Sequence, residues 1–342
     1  MILIFGASYG IVIATKLMLA GYDVTCVCKI DEASIINRDG FTLELPGYLN
    51  KNLKISSQEL PGKILALTPE DVNLENINLV FLAMQEAQYK DSNIEMLLTN
   101  IAKQKIPSVS IMNIPPYSYL KNFNLTNLDR IKTLYKSYDI WEKFDLKFLT
   151  HCSADPQVYK PDLKKINFIN VRLASNFKIS NFKDLNSSNL LKEISSKVKS
   201  SRFKTKNTEV RMPINLNVYD SAHISLSKWP MLITGNYRCI DPTGIISIKD
   251  AVFQNIEESK IIYNDVMKFC SLIGAEEKNL INFDTYLKAA KNLTAPSSVA
   301  RAAYSGSQNF ERVDKLVLYL AEDKGLQIYK LREIVKIFDK RI

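Results

Sequence analysis

Histidine is nearly missing from this chain: of 342 residues only His151 and His223 are histidines. Neither stands at metal-ligand spacing from the cysteines, so no metal site is expected. The five cysteines, Cys26, Cys28, Cys152, Cys239 and Cys270, are odd in number and scattered. They form no disulfide framework and suit a reducing cytoplasm. Cys26 and Cys28 sit two apart on a predicted strand and share one face, which suits packing better than redox work. No Arg-rich or aromatic-interleaved basic face stands out. The net charge of +9 comes from lysines spread over the whole length, so a basic soluble protein is expected rather than a nucleic-acid binder. The densest basic stretch, residues 199–206, reads as a solvated loop. No uncharged stretch is long enough to cross a membrane. The apolar start lacks a charged leader region and is broken by Gly6 and Gly10, so it reads as part of the fold rather than a signal peptide. There is no internal repeat and no low-complexity tract. Expected partners therefore include neither nucleic acid nor membrane, and the expected location is the cytoplasm.

What the chain does have is concentrated in residues 1–30. Ile2 to Phe5 is an apolar run, Gly6 to Gly10 a glycine turn, Tyr9 to Ala20 an amphipathic helix closed by Gly21, and Asp23 to Cys28 a second apolar run. This pattern predicts a βαβ unit. In such a unit the helix points its backbone N–H groups at a phosphate, which suits a dinucleotide. An acidic residue usually ends the second strand and bonds the ribose hydroxyls of NAD. Here Lys29 stands at that end and would pair with a 2′-phosphate, so NADP(H) is the expected cofactor. Asp31 and Glu32 follow closely and argue the other way.

Further along, residues 41–45 and 52–55 read as short added strands. Residues 78–84 read as a buried parallel strand, followed by polar Gln85, Glu86 and Gln88. A helix over 92–104 leads to a strand over 108–112 that ends at Asn113, before the rigid Ile114-Pro-Pro116 turn. Ligands of open α/β sheets bind outside the carboxyl ends of the strands. That places the Gly6–Gly10 turn, Lys29, Gln85, Gln88 and Asn113 along one rim. Strand-like stretches at 168–173 and 177–179 follow, then a helix over 188–198 expected to link two domains. Beyond it strand patterns vanish. A helix entrance lies at Ser225 to Pro230, a long helix is expected over 249–273, and others over 279–293, 310–323 and 329–340. The predicted architecture is an α/β Rossmann-like dinucleotide-binding domain, residues 1–185, followed by an all-helical substrate and dimerisation domain, residues 186–342.

These residues resemble the ketopantoate reductase (2-dehydropantoate 2-reductase) family, part of the group that includes 6-phosphogluconate-type dehydrogenases. Gly6 and Gly10 match the outer glycines of its G-x-G-x-x-G turn. The loop is one residue shorter, and Ser8 stands where the middle glycine is expected. The resemblance implies that Gly6, Ala7, Ser8, Tyr9 and Gly10 cradle the pyrophosphate. The family's K-A-x-Q is matched by Gln85-Glu-Ala-Gln88, with Gln85 in the lysine's place, and both glutamines are implied beside the cofactor. Asn113 matches the asparagine implied beside the nicotinamide and the substrate carbonyl; a turn former before Pro115 is the plain alternative. Lys228 fits the family's proton donor, a lysine opening a helix. Asn236 fits the second asparagine after it, and Leu232 replaces the first. A lysine suits this role because hydride addition leaves negative charge on the carbonyl oxygen, which an ammonium can stabilise and protonate. Ser297 and Ser298 fit a serine pair that touches the substrate. The acidic substrate-binding position falls at Asn309 or Glu311, and Arg301 is another anion partner.

The resemblance thus implies NADPH-dependent reduction of a small 2-oxo acid, 2-dehydropantoate to pantoate, in vitamin B5 (pantothenate) biosynthesis on the route to coenzyme A. Interdomain helices of this kind often carry a homodimer interface. Two other readings stay open: a different 2-oxo acid or opine-type dehydrogenase of the same architecture, and a non-catalytic NADP-binding sensor.

Overall fold

The strand, glycine turn, helix and strand of the opening residues are realised as β1 (Ile2–Phe5), α1 (Tyr9–Leu19) and β2 (Val24–Val27) in a computed structural model. The structure describes all residues except 47–51, 155–157, 163, 172–174, 206–207 and 242–243. All four residues of β1 and of β2 are buried. Runs this apolar, interrupted only by Thr25, are what strands covered on both faces require.

A helix that periodicity alone does not announce follows: α2 (Ile30–Asp39), of which only Ala33 and Ile36 are buried. It is docked instead by Asn37. Its amide donates to the Ala66 carbonyl and its carbonyl accepts from the Ala66 N–H, both at 2.8 Å. Then come β3 (Thr42–Leu45), β4 (Leu53–Ser56), β5 (Ile64–Leu67), β6 (Leu79–Leu82), α3 (Ser92–Lys103) and β7 (Ser108–Ile111). They are followed by a single turn, α4 (Tyr138–Trp141), and by β8 (Leu149–Ala154), β9 (Val158–Tyr159), β10 (Phe168–Val171) and β11 (Ser175–Ser180). The strand expected over 168–173 is described only as far as Val171. The helix α5 (Leu185–Ser200), the hairpin β12 (Phe203–Lys204) and β13 (Glu209–Val210), and β14 (Ile214–Tyr219) complete this part of the chain.

The main sheet has eight strands in the order β14-β11-β8-β7-β6-β1-β2-β5. From β8 to β5 every neighbouring pair is parallel. Read in chain order that run is 3-2-1-4-5-6, the doubly wound order of dinucleotide-binding sheets. Its strand order reverses between β1 and β6, beside the glycine turn. A smaller sheet, β4-β3-β10-β9, follows α2.

The first compact unit comprises residues 1–84, 89–112 and 139–221, and the second comprises 85–88, 113–138 and 222–342. The chain therefore passes into the second unit for good at Ala222 rather than at residue 186. The helix expected to link domains is instead a wall of the first: Leu191, Ile194 and Val198 of α5 are buried in the same core as Val12 and Leu17 of α1. Ser195 of α5 donates to the Leu216 carbonyl of β14 at 2.7 Å. The basic stretch after it is also more structured than a solvated loop. Phe203 is buried, and the Arg202 guanidinium donates to the carbonyls of Lys199, Ser200 and Ser201. Lys206 lies outside the described residues.

Among its described residues the second unit is mainly helical, with β15 (Ile240–Asp241) and β16 (Gly244–Ile245) its only strands. Its first α-helix is the one-turn α6 (Trp229–Met231). The long helix expected over 249–273 is two, α7 (Ile248–Phe253) and α8 (Ile256–Leu272). Asn255 has extended backbone angles, and its side chain caps the Glu258 N–H, so a new helix starts where apolar spacing alone runs on. Then follow α9 (Phe283–Ala290), α10 (Ser298–Tyr304), α11 (Val313–Asp323) and α12 (Tyr329–Arg341). Of these, α10 is not expected from the sequence pattern. Trp229 stacks on Phe269 of α8 with the ring planes 8° apart, which seats the helix entrance on the unit's core.

Candidate functional site

The glycine turn of the first unit is built by its backbone. Gly6 has φ +95°, and a Cβ there would lie 2.9 Å from the Ala83 carbonyl oxygen. A Cβ on Gly10 would lie 2.8 Å from Ile4 Cγ2 and 3.2 Å from the Phe5 carbonyl. Gly6 thus permits the turn, and Gly10 permits α1 to lie against β1, the tasks of the first and third glycines in dinucleotide sites. Ser8, in place of the middle glycine, has φ −124° and makes no side-chain cap to α1. Its φ is negative, so the turn does not require a glycine for handedness at this position. The first turn of α1 carries no acidic residue. Its N–H groups and positive dipole end are suited to a phosphate, and these residues fit a dinucleotide. Ala7 is buried, while Ser8 and Tyr9 are half-buried.

At the end of β2, Lys29 is exposed and is the N-cap residue of α2. Glu32, three residues on, accepts from the Lys29 backbone N–H at 3.3 Å and forms an ion pair with Lys160 at 2.6 Å. Cys26 and Cys28 are both buried and free. The Cys28 thiol and then burial hold the Cys26 thiol well above its usual pKa, which makes it unreactive and agrees with a packing role.

In the second unit, Glu311 gathers the site. It is 7 % exposed, and its carboxylate accepts from three backbone N–H groups: Asn113 at 2.8 Å, Ile114 at 3.2 Å and Glu86 at 3.3 Å. Burial pushes its pKa up to about 7 against the opposing pull of these bonds, and the nearby Glu86 carboxylate adds to the rise. Glu86 is itself buried and accepts from the N–H groups of Lys136 at 2.9 Å and Ser137 at 2.7 Å. The Glu311 backbone is fixed as well. Its carbonyl accepts from the Tyr237 hydroxyl, which in turn accepts from the Val313 N–H at 2.9 Å. Glu311 thus fastens the segments after β6 and β7 to the residues that lead into α11, and Glu86 fastens the first of these segments to residues 136–137.

Asn113 is held by its backbone at both ends. Glu311 takes its N–H, and the Trp229 indole donates to its carbonyl at 3.4 Å. Its half-buried side-chain amide has no partner among the described residues. Because Trp229 follows Lys228 directly, this bond brings the two expected catalytic residues into one neighbourhood. Lys228 is half-buried and is the N-cap residue of α6.

Asn236 ends a π-helical turn, Leu232–Asn236. The carbonyls in and before that turn take side-chain donors: Tyr286 on Met231, Arg238 on Thr234, Cys239 on Gly235 and Ser297 on Asn236. Such turns recur at functional sites. Gly235 is required here, because a Cβ would collide with the Tyr286 hydroxyl.

Other expected site residues have different tasks. Ser297 caps α10 through the Ala300 N–H and donates to the Asn236 carbonyl at 2.7 Å, so its hydroxyl is committed to the protein, whereas Ser298 is exposed. Asn309 is exposed and accepts from the Lys136 ammonium at 2.7 Å. Glu311 is a clasp on backbone rather than an open carboxylate. Gln88 caps the Gln85 N–H at 2.9 Å, and both glutamines are exposed. Arg301 is exposed on α10. Tyr237 was not legible as a site residue, and neither were the backbone bonds made by Glu86 and Trp229. Glu86 could have been suspected as an acidic residue inside a strand-end turn. Among the described residues no cluster could hold a metal ion, and no helix is long and apolar enough to cross a membrane.

No family model matches the sequence, and no curated protein matches it either. Solved structures do match, along the whole chain. A putative ketopantoate reductase from Ralstonia solanacearum MolK2 superposes with a TM-score of 0.70 at 12% identity, over 99% of this chain and 97% of that one. A 2-dehydropantoate 2-reductase from Geobacter metallireducens GS-15 gives 0.68 at 12% identity, over 100% and 99%. D-mandelate dehydrogenase, in a ternary structure with NADH and anilino(oxo)acetate, gives 0.66 at 11% identity, over 100% and 98%. The likeness is one of fold: a Rossmann-like unit followed by a helical unit.

Proposed function

We propose that the chain is a reductase that uses NADPH to reduce a small 2-oxo acid, with 2-dehydropantoate as the preferred candidate and pantoate as its product. The observation that carries this reading is the bond between Trp229 and the Asn113 carbonyl, which joins a helix-opening lysine to an asparagine at a strand end in a fold shared with reductases of 2-oxo acids. When bound, the nicotinamide supplies hydride to the carbonyl carbon of the substrate. The chain's own part is positioning and protonation. Lys228 stabilises the charge that develops on the carbonyl oxygen and gives up its ammonium proton to it. Asn113, with its backbone clamped by Glu311 and Trp229, presents its amide to the same oxygen and to the carboxamide of the cofactor. Asn236 and Ser298 are the remaining candidates for the substrate's carboxylate and hydroxyl. Trp229 excludes water beside the lysine. The glycine turn, Gly6 to Gly10, receives the pyrophosphate, and Lys29 the 2′-phosphate; Gln85 and Gln88 border the cofactor.

The likeness to D-mandelate dehydrogenase favours a second substrate class, an aryl 2-oxo acid reduced with NADH. The test is oxidation of NADPH and of NADH, followed by absorbance, against a panel holding 2-dehydropantoate, aliphatic 2-oxo acids and an aryl 2-oxo acid. Turnover with 2-dehydropantoate and NADPH is expected. Turnover confined to the aryl acid would move the chain to the second class, and none at all would leave a cofactor-binding protein.

A further inference from the structure

We propose that Lys160 determines cofactor specificity: by pairing with Glu32 it neutralises a carboxylate that closely follows Lys29 and leaves the end of β2 receptive to a 2′-phosphate. This rests on the NADPH reading above. Glu32 lies in the first turn of α2, three residues after Lys29. An acidic side chain at this strand end is the usual partner of the ribose diol of the unphosphorylated cofactor, and it repels a phosphate. Here both of its oxygens are engaged. One accepts from the Lys29 N–H at 3.3 Å, and the other meets the Lys160 ammonium at 2.6 Å.

The pair is shielded. The two side chains are 16% and 18% exposed, whereas most ion pairs among the described residues have at least one partner in open solvent. Shielding strengthens the attraction and makes either charge costly if its partner is lost. Lys160 follows β9, an edge strand of the small sheet, and is 128 residues from Glu32. Asp31 is exposed on the helix beside them. With Lys160 present, the charges of Lys29, Asp31, Glu32 and Lys160 balance. Without it, the strand end turns negative and Glu32 is released toward the ribose. Lys160 therefore acts through Glu32, as a positioning residue.

The experiment is a fluorescence titration of the purified protein with NADPH and, separately, NADH, which reads binding without turnover. The wild type is expected to bind NADPH more tightly. Lys160→Met should weaken NADPH by roughly tenfold or more while leaving NADH equal or tighter. Glu32→Gln combined with Lys160→Met should restore NADPH affinity, because the released charge is gone. If Lys160→Met alone does not fold, Glu32→Gln alone carries the test: NADPH should bind at least as tightly as to the wild type, and NADH no better. An unchanged NADPH-to-NADH ratio in Lys160→Met, or weaker NADPH binding in Glu32→Gln, overturns the role of Lys160 and leaves the cofactor reading standing. A wild type that prefers NADH overturns the cofactor reading itself.

Discussion

The glycine turn of the first unit and the clasp around Glu311 in the second answer the same need in opposite materials. The turn is made of backbone: a positive φ at Gly6, a close approach at Gly10 and the open end of α1. Its parts are neighbours in sequence. The clasp is made of buried side chains, Glu86, Glu311, Trp229 and Tyr237, gathered onto the N–H and carbonyl groups of other segments. Away from Gly6 and Gly10, where a Cβ would be too close to its neighbours, a site built of backbone tolerates exchange of side chains. A clasp of charges does not, because each buried donor or carboxylate left alone costs far more than the bond was worth.

Four substitutions test this contrast, and a fifth, away from both sites, serves as its control. The largest effect is expected from Lys228→Ala, which should cut turnover by roughly 10²–10⁴-fold while NADPH titrates as in the wild type; unchanged turnover would remove Lys228 from the chemistry. Glu311→Ala comes next. It leaves three backbone N–H groups without their acceptor and should cost about 3 kcal/mol in denaturant melts, with kcat falling more than KM rises.

Its milder relative Glu311→Gln isolates the charge. The native state raises the Glu311 pKa from 4.5 to about 7, so it binds the proton more tightly than the unfolded chain does. The stability this group contributes is complete below the unfolded value and is lost as pH rises through the window up to about 7. The span is on the order of 3 kcal/mol. The wild type should lose stability across that window relative to Glu311→Gln, and parallel curves would refute the assignment.

Gly6→Ala should have a smaller effect on stability, about 2 kcal/mol from strain at positive φ and contact with Ala83, but should weaken NADPH binding in titration. Lys16→Met lies away from both sites. Burial, with the charges of Arg202 and Arg211, lowers the Lys16 pKa to about 8. Replacing this ammonium should stabilise the protein by about 1 kcal/mol at neutral pH, seen as a higher Tm with unchanged cofactor affinity.

The first unit was the more legible for a physical reason. Buried parallel strands favour apolar runs, and β1 and β6 supply them unbroken, while β2 and β7 interrupt theirs only with Thr25, Ser108 and Ser110. Elements held by single polar contacts were not legible: α2 is docked by Asn37, and the break between α7 and α8 is set by the cap at Asn255. The domain boundary was misplaced because α5 has the same amphipathic pattern whether it links two units or covers a sheet. The candidate site divides the same way. Gly6, Gly10, Asn113 and Lys228 carry local signatures. Glu86 and Lys160 take their meaning from partners 225 and 128 residues away, and no window along the chain contains both halves.

The π turn over Leu232–Asn236 has a further consequence, for how the length of this chain can change. A π turn is what a helix becomes when it absorbs one additional residue without unwinding. Each residue added or removed turns everything beyond it by about 100° around the axis. Removing one residue between Lys228 and Asn236 would let the helix close into regular turns and swing the asparagine to another side. The strip between the two residues therefore works as a vernier: its residue count sets the direction of the amide.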